Sequence, residues 1–151
     1  MAIATGTMTI TITESLDVGT TVMDTATSVA ETITVNDIFK RVITCPTSEI
    51  VLYLTHATVP QGYVLDKDLV KYTRITNHDS SNFVTLRITD GNNDEFAYKL
   101  AAGQSFILWG HAASMSAADA AGAGSVNADI TSVEAQADTA ACDLEIVVAT
   151  T

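Results

Sequence analysis

Apolar side chains recur at every second position in several separate stretches of this chain, and that period limits its fold more than any other feature. Met8, Ile10 and Ile12 alternate with Thr9, Thr11 and Thr13; Phe96, Tyr98 and Leu100 alternate with small or polar residues; Cys142, Leu144, Ile146 and Val148 alternate with Asp143 and Glu145 in the last stretch. A period of two places the apolar set on one face of a β-strand, because successive Cβ atoms point to opposite sides of the backbone. No helical pattern is long enough to serve as a crossover between parallel strands, so the expectation is an all-β chain.

The remaining strands are marked by their ends. Short strands are expected near Thr20–Met23 and Thr32–Val35, with loops around Asp17, Gly19 and Asp24 and a break at Asn36-Asp37. The next runs from Ile38 to Cys45 and stops at Pro46, which has no N–H to give a ladder. Ile50, Leu52 and Leu54 alternate with Val51, Tyr53 and Thr55, apolar on both faces, which suits a central strand. Pro60-Gln61-Gly62 then turns the chain. Val70–Thr76 and Phe83–Thr89 flank the run Asn77-His78-Asp79-Ser80-Ser81-Asn82, rich in turn-forming side chains, and are expected to pair as a hairpin. Asp90–Asp94 predicts a second hairpin turn. Ser105–Trp109 is a further apolar strand, residues 110–128 form an Ala/Ser/Gly-rich surface loop or hold one short helix, and Ile130 and Val133 mark a short strand. The sum is one antiparallel β-sandwich domain over 1–151, jelly-roll-like or Ig-like, of about eight to ten short strands, with residues 1–7 as an extended arm.

Charge limits the partners. Eighteen acidic against seven basic residues leave a net charge of −11, with no cluster of Lys or Arg to neutralise phosphates, so nucleic acid is not an expected ligand. The carboxylates are scattered, which suits solubility better than a dedicated cationic partner. The start, MAIATGTMTI, lacks a basic region followed by a continuous apolar one, and no run approaches the ~18 apolar residues of a membrane span, so neither classical export nor membrane insertion is expected. Cys45 and Cys142 lie far apart in sequence without a second ligand pair, which reads as two buried free thiols rather than a disulfide framework or a zinc site.

His56, His78 and His111 fall at a strand end, in a turn and at a loop start, and none has a partner at metal-ligand spacing. Nothing around Cys45 would make it an exposed thiolate. Asp90, Asn92 and Asp94 have the first three oxygen spacings of a calcium loop, but Glu95 stands where glycine is needed and Ala101 where the bidentate acid belongs, so a solvated turn is favoured. Gly103 has no lysine or second glycine for a phosphate cradle and reads as a turn glycine. Trp109 and Tyr53 sit in apolar strands and are expected in the core rather than in a ligand groove. No catalytic, cofactor-binding or metal-ligating residue is therefore assigned, and an enzyme is not expected.

The surface chemistry carries the functional expectation. Outward positions filled by Thr, Ser and Ala, and edges without charged gatekeepers, suit burial against other proteins, including further copies of the chain. The stretch Lys71-Tyr72-Thr73-Arg74-Ile75-Thr76-Asn77-His78-Asp79-Ser80-Ser81-Asn82-Phe83-Val84, then Lys99-Leu100-Ala101-Ala102-Gly103-Gln104-Ser105-Phe106-Ile107-Leu108 and the acidic ending Cys142-Asp143-Leu144-Glu145-Ile146, resembles small virion structural proteins of tailed bacteriophages over about the C-terminal half. The resemblance implies a non-enzymatic decoration or cement protein of the head, assembled into virions in the host cytoplasm. Its implied partners are the major capsid protein or other virion proteins and further copies of itself, a trimer among the options. A neck or tail component is the alternative, and a carbohydrate- or receptor-binding β-sandwich of a tail tip or fibre, using Trp109, Tyr63 or the 77–82 turn, is the second alternative.

Overall fold

The computed structural model describes residues 5–13, 16–18, 21–23, 28–57, 64–109, 114–115 and 128–151. Tyr63, His111, the turn at 60–62, the first four residues of the expected arm and most of the 110–128 segment lie outside them. The described residues form fourteen strands and no helix: β1 (Gly6–Thr13), β2 (Leu16–Val18), β3 (Thr21–Met23), β4 (Ser28–Val35), β5 (Asp37–Cys45), β6 (Ile50–His56), β7 (Val64–Asp66), β8 (Val70–Asn77), β9 (Val84–Asp90), β10 (Glu95–Leu100), β11 (Ser105–Trp109), β12 (Ser114–Met115), β13 (Ala128–Ala137) and β14 (Cys142–Thr150). The all-β expectation holds. Four of the strands have only two or three residues, which is why they are hard to read as alternation.

The chain divides into two compact units, residues 1–36 and 37–151. The first is a β-ribbon. β1 and β4 pair antiparallel from Gly6↔Val35 onward, and the small β2–β3 hairpin lies between them in sequence. The register puts Met8 opposite Ile33 and Ile10 opposite Glu31 on one face, and Thr7, Thr9, Thr11 and Thr13 on the other with Thr34, Thr32 and Ala30. The alternation Met-Thr-Ile-Thr-Ile-Thr thus becomes a two-faced ribbon, one side mainly aliphatic with Glu31 among its residues and the other mainly threonine.

The second unit is a sandwich of two sheets, in the orders β11-β8-β14-β5 and β10-β9-β13-β6-β7, with β12 added beside β13. Its eight principal strands pair as one nested hairpin: β5 with β14, β6 with β13, β8 with β11 and β9 with β10. Rolling up that nested ribbon sends alternate pairs to opposite sheets, and the result is the topology of a jelly roll. All of these pairs are antiparallel; the short β7 is parallel to β6.

Inward residues of both sheets fill one core. Ile75, Leu144, Ile146 and Val148 meet Val84, Leu86, Ile88, Val133, Ala135 and Ala137, all essentially without solvent exposure. Tyr53 is sealed in this core, and its hydroxyl bonds the Thr73 hydroxyl of the opposite sheet at 3.1 Å. Burial pushes the Tyr53 phenol up to about 12 despite that bond.

Two sequence expectations are corrected here. β8 and β9 are not a hairpin: they belong to opposite sheets, and the 77–83 connection is an arch between them. The physical reason is Asn77, fully buried at the end of β8, whose side-chain amide donates to the Asn82 carbonyl at 2.9 Å and lies 3.4 Å from the Leu100 and Ala101 carbonyls. The strand around Ile130 and Val133 is not short. β13 has ten residues and lies between β9 and β6, its pattern obscured because its inward positions include Ala135 and Ala137 and its register shifts at two points. The Asp90–Asp94 hairpin is present as expected, with Glu95 opposite Thr89 and Asn93 in the left-handed region at φ 64°.

Candidate interaction surface

The outer face of the four-stranded sheet can be built row by row from its register. Ile107, Arg74, Val147 and Lys40 cross the four strands in one row; Ser105, Thr76, Glu145 and Val42 form the next; Trp109, Tyr72, Ala149 and Ile38 form the third, in which Tyr72 and Ala149 are buried. The charges sit in the middle and are paired. Arg74 donates to Glu145 and, at 2.7 Å, to the Thr76 hydroxyl, while Lys40 lies 3.3 Å from the second oxygen of Glu145. Those bonds from Arg74 and Lys40 hold the Glu145 carboxyl below the usual range. The Thr44 hydroxyl donates to Asp143 at 2.8 Å beside them.

Aliphatic side chains stand exposed around this centre. Ile38 is 54%, Val42 64% and Ile107 42% accessible. Two cations, Lys40 and Arg74, balance two anions, Glu145 and Asp143, so the face is close to neutral on a chain of net charge −11. Association through such a face avoids the repulsion that the rest of the acidic surface would impose.

The opposite sheet shows a different character. There Arg87 is shared by three carboxylates, those of Glu134, Glu49 and Glu95, the last at 2.8 Å. Lys99 is turned onto the Phe83 ring at 4.0 Å. The expectation of uncharged Thr, Ser and Ala on outward positions therefore holds for one face of the ribbon but not for the sandwich, whose outer faces each centre on an ion cluster. The edges need a similar correction: β5 carries Lys40 and Arg41 and β10 carries Glu95 and Lys99, while β11, Ser105–Trp109, is an edge of the sandwich without charge.

Where β10 and β11 face each other the core is open at its side. Phe96 and Tyr98 point inward from β10 yet remain 44% and 41% exposed, because β10 is the edge of its sheet among the described residues. Tyr98 meets Phe106 of β11 with ring centroids 5.0 Å apart.

His56 ends β6 and His78 follows β8, both exposed. Trp109 is half-buried on the outer face rather than in the core, whereas Tyr53 is a core residue as expected. Asp90 is a turn-builder: its Oδ1 accepts the Asn92 and Asp94 amides at 2.8 and 2.9 Å, and its buried Oδ2 has no hydrogen-bond partner among the described residues. Asp79 works the same way in the 77–82 arch, where the Asn82 and Ser81 amides hold its carboxyl below the usual value. Gly103 adopts φ 71° and its N–H bonds the Asn77 carbonyl, as a turn glycine should. Among the described residues no group of three or more His, Cys, Asp or Glu is placed to hold a metal, and no helix is long and apolar enough to cross a membrane. The sequence reading missed Ile38, Lys40 and Val42 as a set, although their spacing at every second position of one strand was the available signal.

No family model, no curated protein and no solved structure matches this chain.

Proposed function

We propose that this chain is a non-enzymatic structural protein of a virion, a decoration or cement protein of a tailed-phage head that works by binding its neighbours in the assembled lattice. The observation that carries the reading is the outer face of β11-β8-β14-β5, a near-neutral surface ringed by exposed Ile38, Val42 and Ile107 on a strongly acidic chain. Jelly rolls recur in viral coats and in lectins, which makes the architecture compatible with this role by analogy only.

The mechanism is passive. A protein that binds the assembled lattice better than free subunits shifts the equilibrium toward the lattice by mass action. The major capsid protein, or another virion protein, is the partner across the near-neutral face, and further copies of the chain complete the assembly.

Quantitative peptide counting in purified particles tests this. The expected result is a copy number in proportion to the coat subunits. A few copies per particle would instead favour the neck or tail, and complete absence from particles would remove the virion reading. The half-burial of Trp109 keeps one alternative in view, a glycan-binding tip protein; glycan-array binding lost in Trp109→Ala with the fold intact would favour it over a cement.

A further inference from the structure

The two cysteines of the chain, remote in sequence, stand directly opposite each other: Cys45 ends β5 and Cys142 begins β14, and the register pairs them. Both point into the sandwich, with 0% and 1% exposure, and both are free thiols in this structure. We propose that Cys45 and Cys142 are a cross-linking site, converted into an intrachain disulfide by exchange with a small-molecule disulfide of the glutathione type. The chemistry does not depend on the virion reading.

Geometry supports the bond. Directly opposed residues on one face of an antiparallel pair have Cβ atoms about 4.5–5.5 Å apart, and a disulfide asks for about 3.5–4.5 Å, so closure needs a movement of about 1 Å. The place allows it. Cys45 is the last residue of its strand and is followed by Pro46, while Cys142 follows the exposed turn residues 138–141. The thiols have no strong commitments to break: the Cys45 Sγ lies 3.6 Å from the Pro46 carbonyl and the Cys142 Sγ 3.5 Å from the Ala140 carbonyl. Burial raises both thiols above their ordinary value, Cys45 to about 11, which makes exchange slow and dependent on local opening of the two turns.

The exchange balances in two steps. One cysteine thiolate attacks a sulfur of glutathione disulfide, forming a protein–glutathione mixed disulfide and releasing one glutathione thiolate. The second cysteine thiolate attacks the protein sulfur of that intermediate, forms the Sγ–Sγ bond and releases the second glutathione thiolate. The two cysteine protons end on the two glutathione thiols; the cysteine pair loses two electrons and the small disulfide gains them. The product ties the edge strand β5 to β14 and encloses every strand from β6 to β13 in one covalent loop.

The test uses the full chain, purified reduced and held under native conditions in a mixture of reduced and oxidised glutathione, then alkylated with a maleimide in denaturant and weighed intact. The expected product is monomeric, about 2 Da lighter than the reduced chain and free of maleimide. Its melting temperature rises on the order of 10 °C, and a reductant reverses the rise. Two maleimide adducts, a persistent glutathione adduct, disulfide-linked dimers, or cross-linking that occurs only in denaturant would each overturn the proposal.

Discussion

Asn77 shows how much one side chain can fix. It is wholly buried, its amide donates into the 77–82 arch and toward the β10–β11 turn, and its carbonyl oxygen Oδ1 accepts the Asp79 amide at 3.0 Å. Asn77→Ala would leave those groups unpaired and is expected to cost at least about 2 kcal/mol, measured by denaturant unfolding. Asp79 adds a pH signature. Its folded carboxyl is held below the ordinary value, so its stabilisation is present at neutral pH and lost as pH falls through the folded value; thermal melts below about pH 4 should lose less in Asp79→Asn than in the parent. Tyr53 acts at the other end of the scale. With its folded value pushed up to about 12 against an ordinary value near 10, the chain is expected to lose about 3 kcal/mol as pH rises from about 10 to 12, and Tyr53→Phe should remove that slope. The turn role of the Asn and Asp residues was legible in sequence, since their side chains bond nearby amides. Which sheet each flanking strand joins was not, because that depends on carbonyls of Leu100 and Ala101, far along the chain.

Among the elements, β14 and β13 mark the limits of pattern reading. Cys142, Leu144, Ile146 and Val148 alternate with Asp143, Glu145 and Val147, and the strand is found where the period places it. β13 carries alanines at inward positions and two register shifts, so its apolar period fades although it lies between two neighbours. Its outward Glu134 belongs to the Arg87 cluster, a cross-strand arrangement invisible in sequence. Arg87→Met would leave Glu49, Glu95 and Glu134 facing one another without a cation; the melting temperature is expected to fall near neutral pH and to approach that of the parent below about pH 4, where the carboxyls are protonated. The ribbon is a further element-scale matter. Every nested pair of the jelly roll closes within residues 37–151, so a chain restricted to those residues is expected to keep a single cooperative melt and a native near-ultraviolet dichroism spectrum; a non-cooperative melt would contradict this.

For the whole molecule, the all-β class and the sandwich were readable from period and punctuation, but the jelly-roll order was not. It follows from pairings such as β5 with β14 that join the two ends of the sandwich's own sequence, and no local signal reports a contact at that separation. The candidate contact face was hidden for the same reason: Ile107, Arg74, Val147 and Lys40 share a row only after the four strands are in register. The function proposed above depends on that face. Val42→Asp, at a position already 64% exposed, should leave the fold intact by circular dichroism while weakening incorporation into particles at least tenfold. Hydrogen exchange, followed on the chain free in solution and in purified particles, asks the question most directly. Slowed exchange in β5 and β11 is expected on incorporation; unchanged exchange in both, with protection confined to the six-stranded sheet, would overturn the proposed contact face.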